Sequence, residues 1–308
     1  MNKDILDLIK KKALLEQALS ELVYGAIEVR TENKTRYIYV HYRLSGKQIT
    51  SFVGEYSDEL LGLITANNEK AKPLKADLRA INHKLREHGY QKASLPSKIQ
   101  RNLDFAKRNL ALTIHSQAIL EGVATTFAST EDIIEGAKVT NMSPKDIAKI
   151  INMKHAWEFI LDEDVILAEP NLALLMQINE LIEEGFYYNA GKLRDVPVRI
   201  GGTKWSPVLP IESKIKEDLT SILNAKKSNT AKAIDLVLYI QKSQIFLDGN
   251  KRTAIIFANH FLIQNGLGLI YVPAELVDEY KKLLVEYYET NQKKPIADFL
   301  ATHCLLKI

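Results

Sequence analysis

The chain has 308 residues, of which 46% are hydrophobic and 26% charged, and a net charge of +3. This composition fits a globular protein with room for two domains; it excludes a disordered or fibrous chain, and the charge alone implies no polyanionic partner. The single cysteine, Cys304, excludes a disulfide framework or a cysteine-rich zinc site, and no basic leader or run of about 18 apolar residues is present, so a cytoplasmic protein without membrane segments is expected.

Residues 2–22 carry an amphipathic helical pattern, and Tyr24 to Val53 then alternates with period two. That switch predicts a three-stranded antiparallel meander with turns at 31–34 and 45–47, where Asn33 and Gly46 suit positive φ. Alternation puts Tyr37, Tyr39, His41 and Arg43 on one face and Ile38, Val40, Tyr42 and Leu44 on the other. With Arg30, Lys34, Arg36 and Lys47 nearby, the first face has the aromatic and basic character of a nucleic-acid surface; the alternative is a strand packed on a helix with solvated tyrosines. A long helix over 57–88 follows, stopped at Gly89, and KASLPSK at 92–98 reads as a linker. Residues 1–95 therefore form a small α+β unit, and 96–308 a second one.

The second unit is mainly α. Helical spacing runs through 98–122, 143–163, 171–184, 211–225, 229–243, 250–266, 274–290 and 294–305. It is interrupted by GKLRDVPVRIGGTKWSPVLP at 191–210, whose glycines, three prolines and short alternating run VPVRI predict a long loop containing a hairpin. Long structured loops in compact helical domains are commonly functional flaps.

The stretch QIFLDGNKRTAIIFANHFL at 244–262 carries the chemistry. An acidic turn, Asp248-Gly249-Asn250, leads directly into a long apolar helix, so free backbone N–H groups face outward at the positive end of a helix dipole. Gly249 lets a ligand approach the backbone, Lys251 and Arg252 add positive charge where helices favour acids, and Asp248 beside a phosphate could hold Mg²⁺. The plainer reading is a turn that caps a helix, with solvated Lys251 and Arg252. His115, His155, His260 and His303 show no metal-ligand spacing and read as structural. Trp157 and Trp205 read as core and flap-anchoring aromatics.

This stretch resembles the active-site loop of the Fic (Fido) family, His-Pro-Phe-x-Asp/Glu-Gly-Asn-Gly/Lys-Arg-x-x-Arg, with Phe246, Asp248, Gly249, Asn250, Lys251 and Arg252 matching in order. AGKLRDVPVRIGG at 190–202 resembles the family's target-docking flap, including Arg199, Ile200, Gly201 and Gly202, and HSQAILEGVATT at 115–126 resembles its inhibitory helix, with Glu121 at the inhibitory glutamate. The resemblance implies a Fic-type helical bundle with a flap hairpin, ATP and Mg²⁺ as cofactors, and transfer of AMP to a hydroxyl of a protein held by the flap. It further implies Asp248 as metal ligand and Gly249, Asn250, Lys251 and Arg252 as nucleotide-phosphate contacts.

Four positions depart from the family's patterns, three in the loop and one in the inhibitory segment. The general-base histidine is replaced by Gln244, whose amide has no titratable group near neutrality. Ile245 replaces the proline, and Ile255 replaces the second arginine, which is both the γ-phosphate contact and the usual partner of the inhibitory glutamate. The Ser or Thr of the inhibitory segment is Gln117. Two functions follow: a nucleotidyltransferase working without its usual base, or an inactive Fic-fold module that binds a nucleotide or a protein partner.

Overall fold

The computed structural model describes residues 3–20, 22–32, 35–44, 47–90, 95–137, 139–140 and 142–308. The chain separates into two compact units, residues 7–91 and residues 92–308 together with the first six. The expected turn residues Asn33 and Gly46, and positions 92–94 of the expected linker, lie outside the described residues.

The chain starts with α1, Lys3–Ser20, and continues into an antiparallel meander of β1 (Ala26–Glu32), β2 (Thr35–Leu44) and β3 (Lys47–Glu55), in spatial order β1-β2-β3. β2 holds the register: Val40 faces Ile27 on one side and Ser51 on the other. Because alternate side chains leave opposite faces of a strand, Ile38 and Val40 are buried against Ile64 of the long helix α2, Asp58–Glu87. On the opposite face Tyr37 and Tyr39 pack against Phe52, which is 60% exposed. Arg30 lies 4.4 Å over the Tyr39 ring and pairs with Glu28 at 2.9 Å, so that face carries neutralising acid as well as base. α2 starts where Ser57 accepts a hydrogen bond from the Leu60 amide, with Asp58 and Glu59 complementing the helix dipole.

The larger unit is a helical bundle built on α3 (Ser97–Arg108), α4 (Leu110–Leu120), α5 (Phe127–Ile134), α6 (Pro144–Ile160), α7 (Leu172–Ile182), α8 (Glu212–Asn224), α9 (Asn229–Ser243) and α10 (Asn250–Gln264). After α10 come β4 (Leu269–Ile270), a 3₁₀ turn (Ala274–Leu276), α11 (Val277–Thr290), α12 (Lys294–His303) and β5 (Leu305–Leu306). α10 is buried along nearly its whole length and occupies the centre, packed on α9, α7, α6 and α3; among its buried polar side chains, Asn259 and His260 hydrogen-bond to main-chain oxygens. His260 on α10 is wholly buried, its Nε2 2.9 Å from the Val165 carbonyl oxygen, and burial pushes its pKa down to about 4. The ring is neutral and structural.

Three expectations need correction. The helix expected over 98–122 is two helices broken at Asn109 (φ −104°, ψ 13°), whose Nδ2 donates to the Phe105 carbonyl at 2.8 Å; a short polar side chain that bonds the preceding turn competes with helix continuation. α5 and the β4–β5 pair were not anticipated. The hairpin expected within 191–210 is absent: residues 195–200 form no strand. Pro197 has no N–H for a ladder, and Arg194 takes the carbonyl oxygens a partner strand would have used. Among the described residues, no helix is long and apolar enough to cross a membrane.

Candidate functional site

α9 ends at Ser243, and Gln244 turns the chain in the left-handed region, φ 45° and ψ 60°. Ile245 and Phe246 then plug into the core, 0% and 1% exposed, which throws Asp248 outward and brings Gly249 (φ 75°) to the N-cap of α10. Gly249 is required twice: by its positive φ, and because a Cβ there would fall on Glu183 Oε1 and lie 3.0 Å from Asn179 Nδ2. No side chain caps α10, so its first-turn amides stay open as donors.

The loop is held by its own amides. Asn250 accepts from the Phe246 amide at 3.0 Å and donates to the Phe246 carbonyl at 2.8 Å and to Gln244 Oε1 at 3.1 Å. Its side chain is spent on the loop, and what it offers a ligand is its main-chain N–H. Gln244 also donates from Nε2 to the Gln241 carbonyl at 2.7 Å. The amide at the expected base position is thus fixed from both ends. α7 ties the turn to the flap: Asn179 donates to the Asp248 carbonyl (3.0 Å) and Thr253 Oγ1 (3.1 Å) and accepts from the Gly191 amide (3.0 Å).

Arg252 is the electrostatic centre of the site. Its side chain is 3% exposed and sits 2.8 Å from Glu183, 3.7 Å from Glu121 and 3.8 Å from Asp248. Lys251 reaches Glu121 at 3.4 Å. The family's usual partner of Glu121 is missing, because Ile255 stands where the second arginine would be. The structure pairs Glu121 with Lys251 and the first arginine instead, while Ile255 is 1% exposed in the core. Arg252 Nε and Nη1 make no hydrogen bond despite full burial. Asp248 is half exposed; one carboxylate oxygen accepts from the Gly249 amide at 2.6 Å and the other from Tyr187 at 3.3 Å.

Glu183 was missed by the sequence reading, and no local signal marks it, since its partner lies 69 residues further along the chain. Desolvation raises its pKa to about 7; Arg252 opposes the shift and Asp248 and Glu121 reinforce it. A carboxyl with a folded pKa above its unfolded one stabilises the fold fully below its ordinary value of 4.5 and loses that contribution as pH rises through about 7. Stability should therefore fall by about 3 kcal/mol across that window, and Glu183→Gln should flatten the slope. Urea denaturation of both proteins at pH 5 and pH 8 measures this; an unchanged slope in the variant contradicts it.

The flap residues named from the sequence are placed differently from one another. Arg199, Gly201 and Gly202 are exposed, Ile200 is half-buried, and none of the four reaches the anion turn in a hydrogen bond or ion pair. The loop base depends on Arg194, also missed, which is 2% exposed. It donates from Nε to the Gln244 carbonyl at 2.5 Å, from Nη1 to Val196 at 2.9 Å, and from Nη2 to Pro207 at 3.2 Å and Val208 at 2.5 Å.

The residues present fit a phosphate: uncapped amides, a glycine cradle and a buried guanidinium with two nitrogens that make no hydrogen bond converge on one turn. They also fit Mg²⁺ in its usual habit of one protein carboxylate plus phosphate oxygens, supplied by Asp248. Among the described residues no cluster of three ligating side chains could hold a metal alone.

The model of the Fic/DOC family matches residues 169–262. Among solved structures, the chain is similar to a Fic domain containing signaling protein from Bacteroides thetaiotaomicron, at 18% identity over 68% of this chain and 87% of that one, with a TM-score of 0.55. It is similar to Fic-1 from C. elegans at 19% identity over 80% and 74%, with a TM-score of 0.54. A Fic family protein from Desulfovibrio desulfuricans is similar at 16% identity over 68% and 73%, with a TM-score of 0.53. At these identities the likeness is one of fold. No curated protein sequence matches the chain.

Proposed function

We propose, from the match of residues 169–262 to the Fic/DOC family model, that the protein is of this family and binds the phosphates of a nucleotide at the Asp248 to Arg252 turn without transferring AMP. Fic domains generally serve protein AMPylation, and that reaction needs a base to take the proton of the target hydroxyl. The observation that carries the reading is the state of Gln244: its amide cannot accept a proton at neutral pH, and it is fixed between Asn250 and Gln241. Glu183 titrates near neutrality, but it is 3% exposed and held against Arg252, where a protein hydroxyl has no access.

Each remaining residue has a binding role. The main-chain amides at the start of α10 donate to phosphate oxygens under the helix dipole. Arg252 supplies charge from below, and Asp248 would hold Mg²⁺, which screens phosphate charge when bound. Glu121 competes with the phosphate for Arg252 and Lys251, so binding requires it to yield. Ile255 contacts no terminal phosphate.

Labelled ATP incubated with the protein and a cell lysate tests this. The wild type should incorporate no AMP above background. Gln244→His restores a titratable ring at a left-handed position that histidine tolerates, and should raise incorporation by about 10²–10⁴, the usual contribution of a general base. Transfer by the wild type at the level of Gln244→His contradicts the proposal.

A further inference from the structure

A second concave site is walled by the segment from Trp205 to Ile211, α8 and the end of α9, with a volume of about 310 Å³. That is within the range of small-molecule pockets. Its walls are mainly apolar, lined by Pro207, Leu209, Ile215 and Ile245 together with Trp205 and Tyr239. At its mouth Val208 is 84% and Ile211 65% exposed, a concentration of apolar surface that folding alone does not explain. The wall is pinned in place: Arg194 holds the Pro207 and Val208 carbonyls, and Glu289 accepts from Thr203 Oγ1 at 2.9 Å and the Lys204 amide at 3.2 Å. The cavity is therefore formed before any ligand arrives.

Its charges do not cancel. Asp218 is neutralised by Lys214 at 2.9 Å and accepts from the Tyr239 hydroxyl at 3.1 Å. Lys242, the other cation lining the cavity, has no carboxylate within ion-pair distance among the described residues. Its ammonium donates to the Tyr287 carbonyl at 2.9 Å and to Asn291 Oδ1 at 2.8 Å, and lies 4.8 Å and 4.5 Å from the Trp205 and Tyr287 ring centroids. An ammonium has three donors, so one remains. A partly buried cation without a counter-ion favours an anion beside it, and here the surrounding walls favour an apolar body.

We infer that this cavity binds a small amphipathic monoanion, an aromatic or branched aliphatic carboxylate, with the apolar body against Leu209 and Ile215 and the negative group on Lys242. The cavity shares Ile245 and the Arg194 anchor with the loop that leads into the phosphate turn, but none of residues 248–252 lines it.

Two dyes separate the two halves of the inference: 8-anilinonaphthalene-1-sulfonate, an aromatic monoanion, and N-phenyl-1-naphthylamine, the same ring system without charge. Fluorescence titration of the full chain should show one saturable site for the anionic dye, with quenching of Trp205 emission. Lys242→Met keeps the length of the side chain and removes its charge; it should weaken the anionic dye about 10-fold or more, the scale of one charge-assisted contact, and change the neutral dye by less than about 2-fold, which also reports that the variant is folded. Leu209→Glu, at a half-exposed position that tolerates charge, should weaken both dyes. Absence of saturable binding, equal affinity for both dyes in wild type and Lys242→Met, or indifference of both to Leu209→Glu overturns the assignment.

Discussion

Arg252→Ala should lower stability by about 3–5 kcal/mol and weaken nucleotide binding about 10–100-fold. The first effect follows from burial. Glu183 is 3% and Glu121 13% exposed, and removing the cation between them leaves carboxylates facing each other and Asp248; breaking a buried ion pair from one side costs this much. The second effect is the loss of a charge-assisted hydrogen bond to phosphate, worth about 1.5–3 kcal/mol. Chemical denaturation separates the two contributions, because phosphate binding adds to the wild type's stability in a ligand-dependent way and should add almost nothing to the variant's. A variant as stable as the wild type would show that Arg252 is not the charge that holds the acidic cluster together.

Arg194→Ala should cost a comparable 3–5 kcal/mol and release the flap. Four carbonyl oxygens, from Gln244, Val196, Pro207 and Val208, accept from this one guanidinium. Each buried acceptor left without a donor costs about 1–3 kcal/mol, less where water can enter. Arg194→Lys should rescue little of this, since an ammonium has no planar fork to span four acceptors. Limited proteolysis is the direct readout: cleavage within 195–210 should appear in both variants and not in the wild type. Because the Gln244 carbonyl is one of the four, the left-handed turn that begins the anion loop should loosen at the same time.

These two arginines show where sequence reasoning reached and where it stopped. α10 and its turn were legible because Asp248-Gly249-Asn250 is a strong local signal followed by a mainly apolar helical run, and Gly249 does take the positive φ that the turn demands. The meander was legible for the same local reason, as Ile38 and Val40 are buried while Tyr37 and Tyr39 meet Phe52 on the other face. What was not legible depends on distant partners. Glu183 becomes part of the site only when α7 is placed beside α10, and Arg194 looks like one more loop cation until Pro207 and Val208 return to it. The break at Asn109 was hidden by apolar spacing that continues through α3 and α4, and β4 and β5 are two residues each, pairing Leu269 with Leu306 and Ile270 with Leu305. Glu121 loses its usual partner at Ile255, and no local pattern shows that Lys251 and Arg252 take that place once α4 and α10 are brought together.

Calorimetric titration with Mg-ATP and Mg-ADP, on the wild type, Glu121→Ala and Arg252→Ala, tests the phosphate site most directly. The expected result is that both nucleotides bind the wild type with affinities within about 3-fold of each other, because Ile255 offers nothing to the terminal phosphate. Glu121→Ala should bind both about 10-fold more tightly, once the competing carboxylate is gone, on the scale of one charge-assisted contact. Arg252→Ala should bind both at least about 10-fold more weakly. Undetectable binding of both nucleotides at millimolar concentration, by the wild type and by Glu121→Ala alike, would contradict a nucleotide site at this turn.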